Sequence, residues 1–123
     1  MFAVSVEQHF DAAHYLRDYH GKCENLHGHR FVVVLTVSRG ELDGAGMAYD
    51  FTVLKQHLNS ILGSYDHTCL NAIPPFEGIN PSSENIATTI YGALKSHVEA
   101  GGVRLVSVEV RESPENRAVY TPE

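Results

Sequence analysis

Two cysteines, Cys23 and Cys69, are all that this 123-residue chain carries. That is too few for a disulfide framework. No apolar run approaches the ~20 residues of a membrane helix, so no membrane partner is expected. Positive charge is also short: the formal net charge is −6, which leaves no general field to draw in nucleic acid. An anionic small molecule would have to be held by local cations. No basic-then-apolar leader precedes the strand pattern that begins at Phe2, so a cytoplasmic enzyme domain with nothing to cleave is expected. Internal repeats and low-complexity stretches are missing too. What is present is histidine, eight in all, and that excess asks for an explanation. The remainder, 43% hydrophobic and 20% charged, suits one folded domain over residues 1–123 with a single core.

Phe2, Val4 and Val6 alternate with Ala3, Ser5 and Glu7, which predicts a half-buried strand to about Phe10. Residues 11–24 show no clear period and read as an irregular excursion. FVVVLTVSRG (31–40) is β-branched and apolar, a strand beginning near His27. GELDGAG then turns the chain toward a short strand at 47–50. Leu54, Leu58, Ile61 and Leu62 lie on one helical face, with Asp50 or Thr52 as cap. A second helix follows Pro81, capped by Ser82 or Ser83. Glu84 and Asn85 fill helix-start roles, and Ile86, Ile90, Ala93 and Leu94 form the inward stripe. Gly101-Gly102 stops it. Val106, Val108 and Val110 alternate as a last strand. The expected architecture is α+β: a four-stranded antiparallel sheet with two helices on one face. Its bare face would seek cover from another subunit, and a closed ring would remove its edges.

His27 and His29 are two apart at a strand start and project from one face. Gly28 between them permits close backbone approach. If the first two strands pair antiparallel, His14 returns to their neighbourhood. Three imidazoles with an open fourth position describe a catalytic zinc site; the alternative is a chance H-x-H at a polar strand edge. His9, His20, His57 and His97 have no comparable company and read as surface or structural. Cys23 lies on the loop leading into the histidine strand, where Lys22 and a nearby ion could favour its thiolate. It reads either as a general base or as an inert buried thiol, and Cys69 as a core filler. Asp66 and His67 form a candidate acid–base pair. Glu112 is either a solvated terminal charge or a ligand anchor.

Taken together, FDAAHYL (10–16), CENLHGHRF (23–31), YDF (49–51), DHTCLN (66–71), NPSSENIA (80–87) and VEVRESPENRAVY (108–120) resemble one family. It is that of the 6-pyruvoyl-tetrahydropterin and 6-carboxytetrahydropterin synthases. The segments come in the family's order and cover nearly the whole chain. The resemblance implies the tunnelling fold, in which sheets from several subunits close into a β-barrel, with a hexamer favoured and active sites at subunit interfaces. It implies zinc on His14, His27 and His29, Cys23 as catalytic thiolate, and Asp66 with His67 as an acid–base pair supplied by a neighbouring subunit. Glu112 would anchor the pterin by accepting its amino group and ring N–H as a bidentate pair. The family substrate is 7,8-dihydroneopterin triphosphate. Arg30, Lys22 and Arg117 are candidates for its phosphates. Ser82 and Ser113 stand where the family often has Thr; both keep a hydroxyl.

A cysteine four positions before HGH resembles the carboxytetrahydropterin branch, which serves queuosine and deazapurine synthesis. A glutamate three positions before HGH resembles a branch that releases 6-hydroxymethyl-dihydropterin for folate. Glu24 occupies that place as well, so CE-x-x-HGH looks like a dual type. The leading expectation is a 6-carboxytetrahydropterin synthase, with the folate-branch cleavage as a second activity or a 6-pyruvoyl-tetrahydropterin synthase as the alternative. A zinc hydrolase is a reading from another class, although H-E-x-x-H and the H-x-E with P-C-x-x-C pattern are both missing. A non-catalytic pterin-binding or structural zinc module is a third.

Overall fold

Val6, Phe10, Ala12 and His14 all turn to one side of the first strand and are buried there, a period-2 rhythm that carries the strand past its expected end. The structure, a computed structural model, describes residues 1–21 and 24–123. Strand β1 (Phe2–His14) does not stop near Phe10. Ala12 is small and His14 polar, so the hydrophobic contrast fades in the sequence while the ladder continues. Strand β2 (His27–Arg39) pairs with it antiparallel, from Phe2 opposite Arg39 to His14 opposite His27.

The expected strand at 47–50 does not form. Asp43 instead closes the turn on itself, its carboxylate accepting from the Ala45 and Met47 N–H groups, both at 2.9 Å. Those bonds hold the Asp43 carboxyl below its usual range, and Gly46 supplies the positive φ of 79° that the turn requires. Helix α1 (Phe51–Leu62) starts at Asp50, whose side chain accepts from the Thr52 N–H, and buries Leu54, Leu58 and Leu62. A two-residue strand β3 (Thr68–Cys69) then runs parallel to β1 at Ala12 and Ala13. Helix α2 (Ser83–Glu99) is capped by Ser82 and buries Ile86, Ala87, Ile90, Tyr91, Leu94 and Val98. Ala93, expected in the stripe, is exposed.

Strand β4 (Arg104–Arg111) pairs with β2, with a register shift between Thr36 and Val37 that leaves Val106 without a partner. That bulge puts Leu105 and Val108 on the same buried side, which strict alternation could not do. Strand β5 (Arg117–Tyr120) closes a hairpin on β4. The sheet is therefore five-stranded and mixed, in the order β3-β1-β2-β4-β5, not four-stranded and wholly antiparallel. Both helices pack on its buried side in one core. Its other side stays open and carries Ser5 hydrogen-bonded to Thr36, Glu7 and Glu109 about Arg111, and Arg30 on Asp11. No helix of the described residues is long and apolar enough to cross a membrane.

Tyr65 is 1% exposed, edge-on to Phe10 and Phe76. Its hydroxyl has no hydrogen-bond partner among the described residues, and burial pushes the phenol up to about 12. An unpaired buried hydroxyl costs about 1–3 kcal/mol. Tyr65→Phe is therefore expected to leave stability unchanged or raise it by roughly 1 kcal/mol, read from urea unfolding. A clear loss would show that the hydroxyl is paired.

Candidate metal centre

The long β1–β2 ladder ends in three histidines. His14 stands directly opposite His27, and His29 opposite Ala12, so all three rings lie on the helix side of the sheet. Their ring centroids are 4.6, 5.4 and 4.7 Å apart. Phe31 forms the floor, edge-on to His14 at 5.1 Å and to His29 at 5.6 Å. Glu112 reaches the group from the end of β4. The turn into β5 holds it there, with the Glu112 N–H donating to the Asn116 carbonyl at 3.0 Å. One donor atom from each of His14, His27, His29 and Glu112 lies within 4.8 Å of the others.

Carbonyl oxygens set the tautomers. His14 Nδ1 is 2.7 Å from the Pro81 carbonyl and His27 Nδ1 is 2.6 Å from that of Asn25. A carbonyl can only accept, so each Nδ1 carries a proton, and the neutral form of each ring has its lone pair on Nε2. Burial is the main influence holding His14 below its ordinary pKa, outweighing the Pro81 bond that pulls upward. A neutral ring is the form a metal requires. The Nε2 atoms of His14 and His29 are buried and hydrogen-bonded to none of the described residues. His29 Nε2 lies 3.0 Å from Glu112 Oε1 without the alignment of a hydrogen bond. Orphaned nitrogens of this kind are costly unless something takes their lone pairs. Among the described residues the set is three imidazoles with one carboxylate at their side; three imidazoles suit zinc with a fourth position open to substrate.

Asp66 and His67 also come together, but elsewhere. Asp66 Oδ2 is 2.8 Å from His67 Nδ1, and Asp66 Oδ1 accepts from the Asp11 N–H at 2.9 Å. These two bonds, the Asp11 one first, hold the Asp66 carboxyl below its usual range. His67 is kept at φ 58° by its own N–H on the Asp11 carbonyl, a conformation uncommon outside glycine. Its side chain is 79% exposed. The dyad hangs on the edge of β1 just before β3 begins, on the backbone of Asp11, whose carboxylate belongs to the open face. The three rings occupy the opposite face. One copy of the chain does not bring dyad and cluster together.

Glu24 is exposed, its carboxylate 3.5 Å from His20, and does not join the four-residue group. Cys23 and Lys22 lie outside the described residues. Arg30 is committed to Asp11 through two bonds of 2.9 and 3.1 Å, and Arg117 donates to the Pro114 carbonyl. Glu112 is half-buried against His29, so it is no solvated terminal charge. Cys69 is half-buried rather than a full core filler. His9, His20 and His97 are exposed and His57 half-buried.

Sequence reasoning missed the residues that brace the cluster. Asn71 donates to the Tyr15 carbonyl and accepts from the Tyr15 N–H, each at 3.0 Å. Asn80 likewise donates to the Arg17 carbonyl at 2.9 Å and accepts from the Arg17 N–H at 2.7 Å. Both asparagines sit inside quoted segments, DHTCLN and NPSSENIA, and that recurrence was the available signal.

A sequence model of the family described as "6-pyruvoyl tetrahydropterin synthase" matches residues 3–123. The 6-carboxy-5,6,7,8-tetrahydropterin synthase of Synechocystis sp. is 40% identical, over 98% of this chain and 93% of its own. The Bacillus subtilis protein of the same name is 35% identical, over 98% and 86%. The solved structure of Caenorhabditis elegans 6-pyruvoyl tetrahydropterin synthase superposes with a TM-score of 0.85 at 32% identity, covering 100% of this chain and 98% of that one.

Proposed function

The chain belongs to the 6-pyruvoyl tetrahydropterin synthase family, a family of lyase-type enzymes, and we propose that it is a zinc-dependent 6-carboxytetrahydropterin synthase. Its substrate in this reading is 7,8-dihydroneopterin triphosphate, its pathway that of queuosine and other deazapurines, and its setting the cytoplasm. The observation that carries the reading is the histidine triad, with the His14 and His27 Nδ1 atoms held on backbone carbonyls and donor atoms of all three rings turned together. The bacterial relatives named for the carboxy product and the Cys23 spacing favour this branch.

Zinc held by His14, His27 and His29 would supply Lewis acidity toward the hydroxyl oxygens of the substrate side chain. Glu112 accepts the pterin amino group and ring N–H, which places the side chain over the histidines and selects a guanine-like edge. Cys23 as thiolate takes a side-chain proton at Sγ. Asp66 fixes Nδ1 of His67 and leaves Nε2 to carry a second proton. The faces of the sheet keep these two parts separate in one copy, so the working unit is a homo-oligomer, with a hexamer favoured. There a neighbour's dyad meets this copy's triad and the open face closes into a barrel.

Glu24 keeps a second activity in view, the cleavage to 6-hydroxymethyl-dihydropterin, on the strength of its place before HGH. Mass spectrometry of the product from 7,8-dihydroneopterin triphosphate separates carboxy, pyruvoyl and hydroxymethyl pterins. The carboxy product is expected. Cys23→Ala should slow its formation by on the order of 10²–10⁴, and an unaltered rate would remove the thiolate role. If Glu24→Ala changes neither reaction, the second activity loses its base.

A further inference from the structure

The Pro81 carbonyl that fixes His14 does not stand alone. Pro81 precedes the cap of α2, and its neighbour Asn80 is laced to the segment that leaves β1. The Asn80 side chain bridges both backbone groups of Arg17. The Asn80 carbonyl in turn accepts from Asn85 Nδ2 at 2.8 Å. The Arg17 guanidinium donates to the carbonyls of Ile79, at 2.9 Å, and Asn71, at 3.2 Å. Residues 14–17 and 79–81 are thus joined side by side by side-chain bridges, with the His14–Pro81 bond as the last rung.

We propose that Asn80 is a positioning residue for the metal centre: by tying the segment carrying Pro81 to Arg17, it aims the Pro81 carbonyl at His14 Nδ1 and so sets that ring's tautomer and direction. The inference rests on the zinc reading above. The physical reason is leverage. His14 is the most buried of the three rings, at 1% exposed, with no solvent to replace a carbonyl that has drifted. A hydrogen bond of 2.7 Å tolerates little displacement before it weakens. Without that carbonyl nothing selects the Nδ1–H tautomer, and the lone pair can move to the wrong nitrogen.

The test is zinc affinity, measured by chelator competition on the full-length protein, beside the visible spectrum of the cobalt-substituted form. Asn80→Ala is expected to weaken zinc about tenfold or more and to alter the cobalt spectrum, with a cooperative melt retained. Asn80→Asp keeps the acceptor for the Arg17 N–H and loses the donor, so it should fall between. If Asn80→Ala lowers the melting midpoint while zinc affinity stays within twofold of wild type, the residue is merely structural and the proposal is overturned. Should the alanine variant not fold, the same twofold criterion applied to Asn80→Asp decides. A wild-type chain that takes up no zinc overturns the zinc reading itself, and the proposal with it.

Discussion

His27→Ala is expected to weaken zinc binding at least about a hundredfold and to reduce pterin turnover to background, without unfolding the chain. The first figure follows from dividing the roughly 10–16 kcal/mol of a four-ligand zinc site among its ligands, which leaves about 3 kcal/mol for one imidazole. His27 is the right ring to remove because it is only half-buried. Its loss exposes the Asn25 carbonyl to water instead of orphaning it, and it opens no cavity in the core. The core itself, from Val6 to Val110, is apolar, and the cluster meets it at one end, against Phe31. Chelation should therefore lower the melting midpoint only by the lost binding energy, with a cooperative transition remaining. A protein that unfolds on zinc removal would mark the site as structural. One that keeps full turnover would show that the triad is not where chemistry occurs. Zinc content and turnover, measured on the same preparation of His27→Ala, separate these outcomes.

The triad could be read before the fold was seen because its signal is local. HGH puts two rings on one face of any strand, and an antiparallel return was the simplest way to bring back His14. Helix faces were equally plain at Leu54, Leu58 and Leu62, where period and cap agree. What escaped reading depends on partners distant in sequence. β3 is two residues long and exists only because Ala12 and Ala13 are there to pair with it. β5 has four residues and no alternation of its own, and the β4 ladder makes it a strand. The bulge at Val106 answers to Thr36 and Val37 across the sheet. Asn71 and Asn80 drew no reading of their own, since a side-chain amide that bridges a distant backbone shows no local period. Taken without the family resemblance, Glu112 stays between two roles, because its place is set by a β4–β5 hairpin with no local signal.

Mixing two inactive variants is expected to restore activity, and this is the strongest consequence of the two-faced layout. His67→Ala removes the proton carrier proposed for the dyad and should cost on the order of 10²–10⁴ in rate, leaving the triad intact. His27→Ala does the reverse. If each site joins one copy's triad to a neighbour's dyad, random co-assembly pairs an intact triad with an intact dyad in about a quarter of the sites. The variants are co-refolded, native mass spectrometry confirms mixed oligomers, and turnover is compared with each variant alone. Recovery toward a quarter of wild-type turnover is the expected result. Mixed oligomers with no recovery would mean that dyad and triad come from the same copy. That would require Asp66 and His67 to leave the β1 edge and reach the helix side of the sheet. The bonds from Asp11 to both of them oppose such a move: Asp66 Oδ1 is held by the Asp11 N–H and the His67 N–H by the Asp11 carbonyl at 2.6 Å. Asp11 is itself locked in β1 opposite Arg30. The bonds that align the dyad therefore also hold it at the β1 edge, away from the helix side of the sheet where the histidines lie.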